Sequence, residues 1–302
     1  MYQLSTTLAA AVASGNPQRV LLEFTDYSPA KQFSNEDIVI TGGIHLVADF
    51  NSEKDLTIGL CPSAEIQFSM WNDNAQLANF AFGTFKAYLG ARIDLGTPAS
   101  GAKTKTFTEG GQTVTYEFAP LGTFIATRPD IVVKNIIEVD ANDQMTLFDK
   151  DMPDGLVTYP TTLATLATAM CTHVGVTLKT STFLNSTLTI AEKPEKFENA
   201  TMRQVLGWIA EAAGSIARFD RNGQLEFSWF ATVNKIYDEH DYTEFTPSWY
   251  ETESVDGLHI RNADSTEEYT VGTGTNAYMI QDNPFLRQAE PITGATGATG
   301  AT

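Results

Sequence analysis

From residue 1 to about 135, apolar and polar residues alternate in short runs, the period of strands with one buried face. Val20-Leu21-Leu22-Glu23-Phe24 predicts one strand and Asp37 to Thr41 another. Gly42-Gly43 marks a turn, after which Ile44 to Phe50 runs on as a third. Leu56 to Leu60 and Ala64 to Trp71 follow; in the latter, Ile66, Phe68 and Met70 alternate with Glu65, Gln67 and Ser69. Thr104 to Thr108 and Thr113 to Phe118 flank Glu109-Gly110-Gly111-Gln112, which predicts a hairpin turn. Many short strands with frequent turns point to an antiparallel barrel or sandwich.

Near residue 140 the pattern changes. Asp140-Ala141-Asn142-Asp143 predicts a turn and Met145 to Phe148 a strand. Pro160-Thr161-Thr162 then opens a helix with Leu163, Leu166, Ala167, Met170 and Val174 on one stripe, stopped at Gly175. The strongest local signal runs from Asn199 to Phe230. Thr201-Met202-Arg203-Gln204 matches a capping box, in which a hydroxyl and a Gln three residues on satisfy free backbone N–H groups. Met202, Val205, Leu206, Ile209 and Ala213 continue at helical period, and Gly214 suits a left-handed helix end. Ile216 to Phe219 and the alternating run Gln224 to Trp229 predict two strands joined at Arg221-Asn222-Gly223, Asn-Gly being a strong hairpin pair.

Residues 236 to about 290 return to strand-like sequence, with Gly257 to Arg261, Glu268 to Gly272 and Asn276 to Ile280 as candidate strands. The sequence closes on Gly294-Ala295-Thr296 and two further Gly-Ala-Thr triplets. Glycine at every third place is the collagen pattern, because only Gly fits the axis of a triple helix. Three triplets without proline are too few to be stable alone, so a flexible tail competes with a stalk.

The chain's 302 residues suit two or three domains, and a hydrophobic content of 42% is enough to bury a sizeable core. The net charge of −18 opposes binding to a phosphate backbone. From Asp238 to Glu290 twelve Asp and Glu face only Arg261 and Arg287, so this stretch carries most of the imbalance. The N-terminus has no basic region followed by a long apolar one, and Leu8 to Ala13 is far too short to span a bilayer, so no membrane anchor is expected.

Candidate chemistry is sparse. Cys61, at an expected strand end, and Cys171, in the expected helix, form no CxxC pair, so free buried thiols are the expectation. His45, His173, His240 and His259 have no partner at catalytic or metal-binding spacing. Tyr237-Asp238-Glu239-His240-Asp241 is the one cluster that could hold a metal, but neighbours on an extended chain point apart. Neither a GxSxG elbow nor a P-loop occurs. The run Phe80, Phe82, Phe85 and Tyr88 reads as core. No catalytic, cofactor-binding or metal-binding residue is therefore singled out, and no enzymatic activity or cofactor is expected.

Four stretches, in order, resemble one family. They are Gly59 to Phe68; Pro120-Leu121-Gly122-Thr123-Phe124; Thr201 to Phe230 with its helix, Ala-Gly end and Asp-Arg-Asn-Gly hairpin; and Asn283-Pro284-Phe285-Leu286. Together they are similar to the tail-hub or tail-tip (baseplate hub) proteins of prophages and related contractile particles of Gram-positive hosts. That resemblance covers about residues 1 to 286. It implies an α+β, β-rich fold of two β-barrel-like domains flanking a smaller α/β domain, with three copies closing a ring. The domains expected are 1–138 (β-barrel-like), 139–235 (α/β), 236–290 (second β-barrel-like) and a collagen-like tail, 291–302.

The function so implied is that of a structural hub. It closes the tail tube, and it joins the tube or a distal tail protein to a central fibre or spike, as a homotrimer in the virion assembled in the host cytoplasm. Family members usually continue past the Asn-Pro motif into a fourth domain, where this sequence passes into triplets. A trimer would bring three such ends to one axis, giving a collagen-like stalk its register. A carboxylate-rich lumen would let DNA pass without holding it, so some of Asp238 to Glu268 are expected to face that channel. Two alternatives compete: a receptor-binding or adhesin fragment on a collagen-like stalk, and a glycan or peptidoglycan hydrolase.

Overall fold

The computed structural model describes residues 3–39, 43–47, 58–72, 77, 80, 82–126, 130–133, 135–229, 256–261, 268–272 and 276–286. Helix α1, Thr6–Ala13, opens the chain. Nine strands follow: β1 Gln18–Phe24, β2 Lys31–Ser34, β3 Ile44–Val47, β4 Glu65–Trp71, β5 Thr84–Arg92, β6 Lys103–Glu109, β7 Gln112–Ala126, β8 Asp130–Val133 and β9 Ile136–Asp143. They form one sheet in the order β2-β1-β5-β7-β9-β4-β3, with β6 paired to β7 and β8 to β9.

This sheet corrects the expected first barrel: among the described residues no closed barrel is found, and the strand order is a path with two ends. Its nearest approach to closure is a bridge between Ile38, just after β2, and Met70 of β4. Val39 donates its N–H to the Ser69 carbonyl there, and Trp71 donates to that of Asp37 (both 2.9 Å). The expected strand Asp37 to Thr41 is reduced to that bridge in its described part. One face of the sheet packs Leu22, Phe24, Ile66, Phe68, Met70, Phe85, Phe124, Ile137 and Val139 into a core, with Phe80 and Phe82 against it. The aromatic run is thus core, with Phe80 and Phe82 edge-to-face at 4.7 Å.

Two further expectations fail within this region. Residues 3–17 hold a helix where strands were expected: Ser5 caps it by accepting the Leu8 N–H, and Leu8 and Ala11 bury against Ala91 and Ala119. Asp140 to Asp143 is not a turn but the end of β9, because Ile137, Val139, Ala141 and Asp143 keep alternating inward. Register with β4, Ile66 opposite Ala141, outweighs the turn-forming composition. The hairpin at Gly110-Gly111 stands as expected, with Glu109 opposite Gln112.

After β9 the chain makes a 3-10 turn, Gln144–Phe148, where a strand was expected. Asp143 accepts the Met145 N–H and so starts the turn, which drives Met145 and Phe148 into a second core. That core is built by α2, Leu163–Val174, and α3, Met202–Ala212. Around them lie β10 Thr161–Thr162, β11 Thr177–Leu178, β12 Thr189–Ile190, β13 Ile216–Phe219 and β14 Gln224–Ser228. Both helices lie where the periodicity predicts them, and Thr201 and Gln204 close the capping box. The expected α2 stripe is buried from Leu163 to Met170, while Val174 is half-buried. β14 pairs antiparallel with β13 and parallel with β11.

The last strands are β15 Gly257–Arg261, β16 Glu268–Gly272 and β17 Ala277–Gln281. Where a second barrel was expected, the described residues form a three-stranded sheet, β16-β15-β17. Asp238 to Glu253, with the Tyr237–Asp241 cluster and His240, lie outside the described residues, as do the Gly-Ala-Thr triplets.

Candidate functional site: a junction on helix α3

Helix α3 buries one face, Met202, Val205, Leu206, Ile209 and Ala210, into the core it shares with α2. Its other faces receive two segments distant in sequence. The first is the run leading into β4. Gly59 sits at φ +82°, and its carbonyl oxygen lies 3.0 Å from where a Cβ on Gly207 would stand. A Cβ on Gly59 itself would meet the Glu211 Cβ at 3.0 Å. Glycine at both places lets backbone pass against backbone. The Arg203 guanidinium, one turn before Gly207, donates to the Cys61 carbonyl (3.0 and 2.7 Å) and to Asp149 (3.1 Å). Gly59 N–H donates to the Ser215 carbonyl (2.8 Å) and Ala217 N–H to that of Leu60 (2.9 Å). The described part of the expected strand Leu56 to Leu60 is a turn for this reason: its hydrogen bonds go to Ser215, just after α3, and to β13 rather than to a neighbouring strand of the large sheet.

The far end of this run is held by Asp143, which is 6% exposed. Its carboxylate accepts from the Ser63 hydroxyl (2.8 Å), the Ala64 N–H (3.0 Å) and the Met145 N–H (3.0 Å). Burial pushes its pKa up, and those bonds only partly oppose the shift.

The second segment is Asn283 to Leu286. The Asn283 side-chain amide donates to the Trp208 carbonyl and to the Glu211 carboxylate, each at 2.8 Å. Its oxygen accepts the Phe285 N–H at 2.9 Å. Phe285 packs edge-to-face on Phe197 (6.0 Å), which stacks on Trp208 (6.3 Å). Burial raises the Glu211 pKa against the opposing bond from Asn283.

The second stretch, Pro120 to Phe124, joins through the β13–β14 hairpin. Asp220 N–H donates to the Gln224 carbonyl, and the Asp220 carboxylate accepts from Asn222 and Gln224 N–H groups, so Arg221-Asn222-Gly223 form a three-residue loop. Only Gly223 takes positive φ, +76°, so the turn is a type I turn with a glycine bulge, not the Asn-Gly two-residue turn. Gly223 lies against β7: a Cβ there would stand 2.5 Å from the Thr123 hydroxyl.

The arrangement uses its polar groups to hold segments together. Both thiols are pushed up to about 12 by burial, so neither Cys61 nor Cys171 is a thiolate at neutral pH. His45 and His173 are exposed on β3 and α2, and His259 is half-buried in β15. No group of three His, Cys, Asp or Glu able to hold a metal ion occurs among the described residues. No described helix is long and apolar enough to cross a membrane. A cleft of about 570 Å³ opens between α1, β5, β7 and the Arg221-Asn222 tip, lined in part by Lys86, Tyr88, Lys103 and Glu117. Glu117, 2% exposed, is engaged by the Ser5 hydroxyl and the Ala99 N–H.

No protein-family model matches the chain, and no curated protein matches it. Nine chains of solved structures do. A 43 kDa tail protein of prophage MuSo2 from Shewanella oneidensis is 12% identical, with 87% of this chain and 72% of that one covered and a TM-score of 0.47. A tail protein from Neisseria meningitidis MC58 is 13% identical, covering 88% and 70% with a TM-score of 0.48. The prophage tail protein gp18 from Listeria monocytogenes EGD-e is 10% identical, covering 88% and 72% with a TM-score of 0.45. These similarities carry no residue's role over to this chain.

Proposed function

We propose that this chain is a structural subunit of a phage tail, and within the tail the hub at the tip. In this reading three copies form a ring that closes the tail tube and joins it, directly or through a distal tail protein, to a central fibre or spike. The β-rich portion 1–138, the α/β portion 139–235 and the portion 236–290 act as its three domains, with 291–302 leading into the fibre axis.

One observation carries the reading. The four stretches that resemble tail hubs lie as far apart as Gly59 and Leu286, yet the other three each contact the third, Thr201 to Phe230. Gly59 to Cys61 and Asn283 to Phe285 seat on α3, and Thr123 meets the hairpin tip at Gly223. Resemblance scattered along a chain acquires a common physical purpose when its parts touch. Here that purpose is to fix three sheets against one helix, which suits a ring subunit under load. The hydrogen bonds of the junction are spent inside it, which suits a scaffold better than a catalyst.

A particle reconstruction with the chain located by antibody labelling tests this. Three copies at the tube end are expected. Six copies or one at the tip would overturn the trimer, and a position at the periphery would overturn the hub.

A further inference from the structure

We propose that Asp282 to Leu286 is a plug seated on α3 that latches the β15–β17 sheet to the rest of the chain, so that its release frees that sheet while the α2–α3 core stays folded. This goes beyond the hub reading and does not depend on it.

The sheet is thinly supported by itself. Of its strand residues whose burial is described only Ile280 is buried, while Val271 and Met279 are about half exposed, at 50% and 46%. Three short strands with one buried side chain form a weak cooperative unit. Among the strand residues whose burial is described, none of β15, β16 or β17 belongs to the α2–α3 core, whereas Phe285 is part of it and Leu286 packs on it. Tyr278 of β17 reaches the junction as well, its hydroxyl hydrogen-bonded to the Ile58 backbone near Glu211, but the described seats in the core itself lie just after β17.

Each residue of the plug has a distinct seat. Asp282 N–H donates to the Arg261 carbonyl (2.8 Å), which fastens the plug to the sheet on one side. Lys196 fastens it to the core on the other, pairing with the Asp282 carboxylate and donating to its carbonyl (2.8 Å). Asn283, 2% exposed, has its amide and its oxygen all engaged, so pulling it from Trp208 and Glu211 strands buried partners unless water reaches them. Pro284 brings no N–H needing a partner, and Phe285 inserts its ring beside Phe197. The plug is thus a compact set of contacts that engages or disengages together.

Hydrogen exchange on the full chain tests this, comparing the parent with Phe285→Ala and Lys196→Ala. Phe285→Ala is expected to lower amide protection in β15 and β17 by about tenfold or more, while α2 and α3 stay within about twofold. Lys196→Ala removes the partly exposed pair, the bond to the Asp282 carbonyl and the contact over the Trp208 ring, and is expected to lower the same strands by about twofold, which keeps the test open should Phe285→Ala not fold. Equal loss of protection in α2 and α3 would overturn the latch, since the plug would then be ordinary core. Unchanged protection in β15 and β17 in both variants would overturn it too, since other contacts would then hold the sheet.

Discussion

The Asn283 side-chain amide donates to one Glu211 carboxylate oxygen at 2.8 Å, and this pair sits where the run before β4, helix α3 and the segment after β17 converge. Two effects oppose each other on Glu211. The bond from Asn283 favours the ionised form, and burial disfavours it. Burial wins, and the carboxyl titrates above its ordinary range. The Tyr278 hydroxyl, raised by burial and by the nearby Glu211 charge, shares this environment.

The sign of the pH dependence follows. A carboxyl whose folded pKa is raised contributes stability below its unfolded pKa, and that contribution is lost as pH rises through the folded value. Glu211→Gln keeps an acceptor for Asn283 and removes the charge. The variant is expected to melt at or above the parent at pH 7.5, with the difference vanishing near pH 4. Calorimetric melting at both pH values checks this, and a variant less stable than the parent at pH 7.5 would show that the charge–amide bond dominates.

At Gly207 two magnitudes compete. Alanine in a helix interior is favoured over glycine by ~1 kcal/mol. The added Cβ would stand 3.0 Å from the Gly59 carbonyl oxygen, which belongs to backbone held by Ser215 and cannot swing aside as a side chain would. Forcing such segments apart costs typically ~1–3 kcal/mol. Gly207→Ala is therefore expected to lower the urea midpoint, corresponding to a net loss of about 1 kcal/mol. A raised midpoint would mean that the run before β4 yields easily.

How far the sequence predicted this architecture depends on whether the signal was local. Helix α3 was legible because the capping box, apolar stripe and terminal glycine all lie within Thr201 to Gly214. β9 carried the right alternation in Ile137, Val139 and Ala141, but Asp140, Asn142 and Asp143 read as a turn, since nothing local reveals that β4 lies alongside. Helix α1 was missed because an Ala- and Thr-rich octapeptide has weak amphipathicity, and its capping Ser5 alone does not announce a helix. The four stretches could be quoted from the sequence, but their meeting on α3 and β7 could not, because it depends on close backbone approach across long separations. Gly207 was the available hint: a glycine inside a strong helical stripe asks for a packing reason.

Gly223 is expected to tolerate no side chain, for two separable reasons. Positive φ costs a non-glycine residue ~1 kcal/mol, and a Cβ would stand 2.5 Å from the Thr123 hydroxyl. Gly223→Ala should cost about 2–3 kcal/mol in denaturant unfolding, and Thr123→Ala in the same chain should recover part of it. Full additivity of the two substitutions would mean that the hairpin tip and β7 are not in contact in solution.

Leu206 is fully buried between the two helices, so its truncation measures the core rather than the junction. Leu206→Ala is expected to cost ~2–5 kcal/mol, and Leu206→Asp more, because it would bury an unpaired charge. Chemical unfolding of both variants checks the order. Near-parental midpoints would remove the assignment of this face to the core.

The final test separates capping from clamping at Asp143. As the cap of the Gln144–Phe148 turn it needs one oxygen to accept the Met145 N–H, and asparagine caps as well as aspartate does. As the clamp on the run before β4 it needs both oxygens, since one serves Ser63 and Met145 and the other serves Ala64. An asparagine has one acceptor oxygen, and its amide would face a donor at the other place, stranding a buried N–H at a cost of ~1–3 kcal/mol. Neutralisation works the other way, because burial already penalises the charge. The two effects part with pH. The penalty on the parent's charge fades as pH falls through the raised carboxyl pKa, while the stranded donor persists at every pH. Asp143→Asn is therefore expected to be less stable than the parent at pH 7 and to show its largest deficit below pH 4. A variant equal to the parent across that range would reduce Asp143 to a simple helix cap.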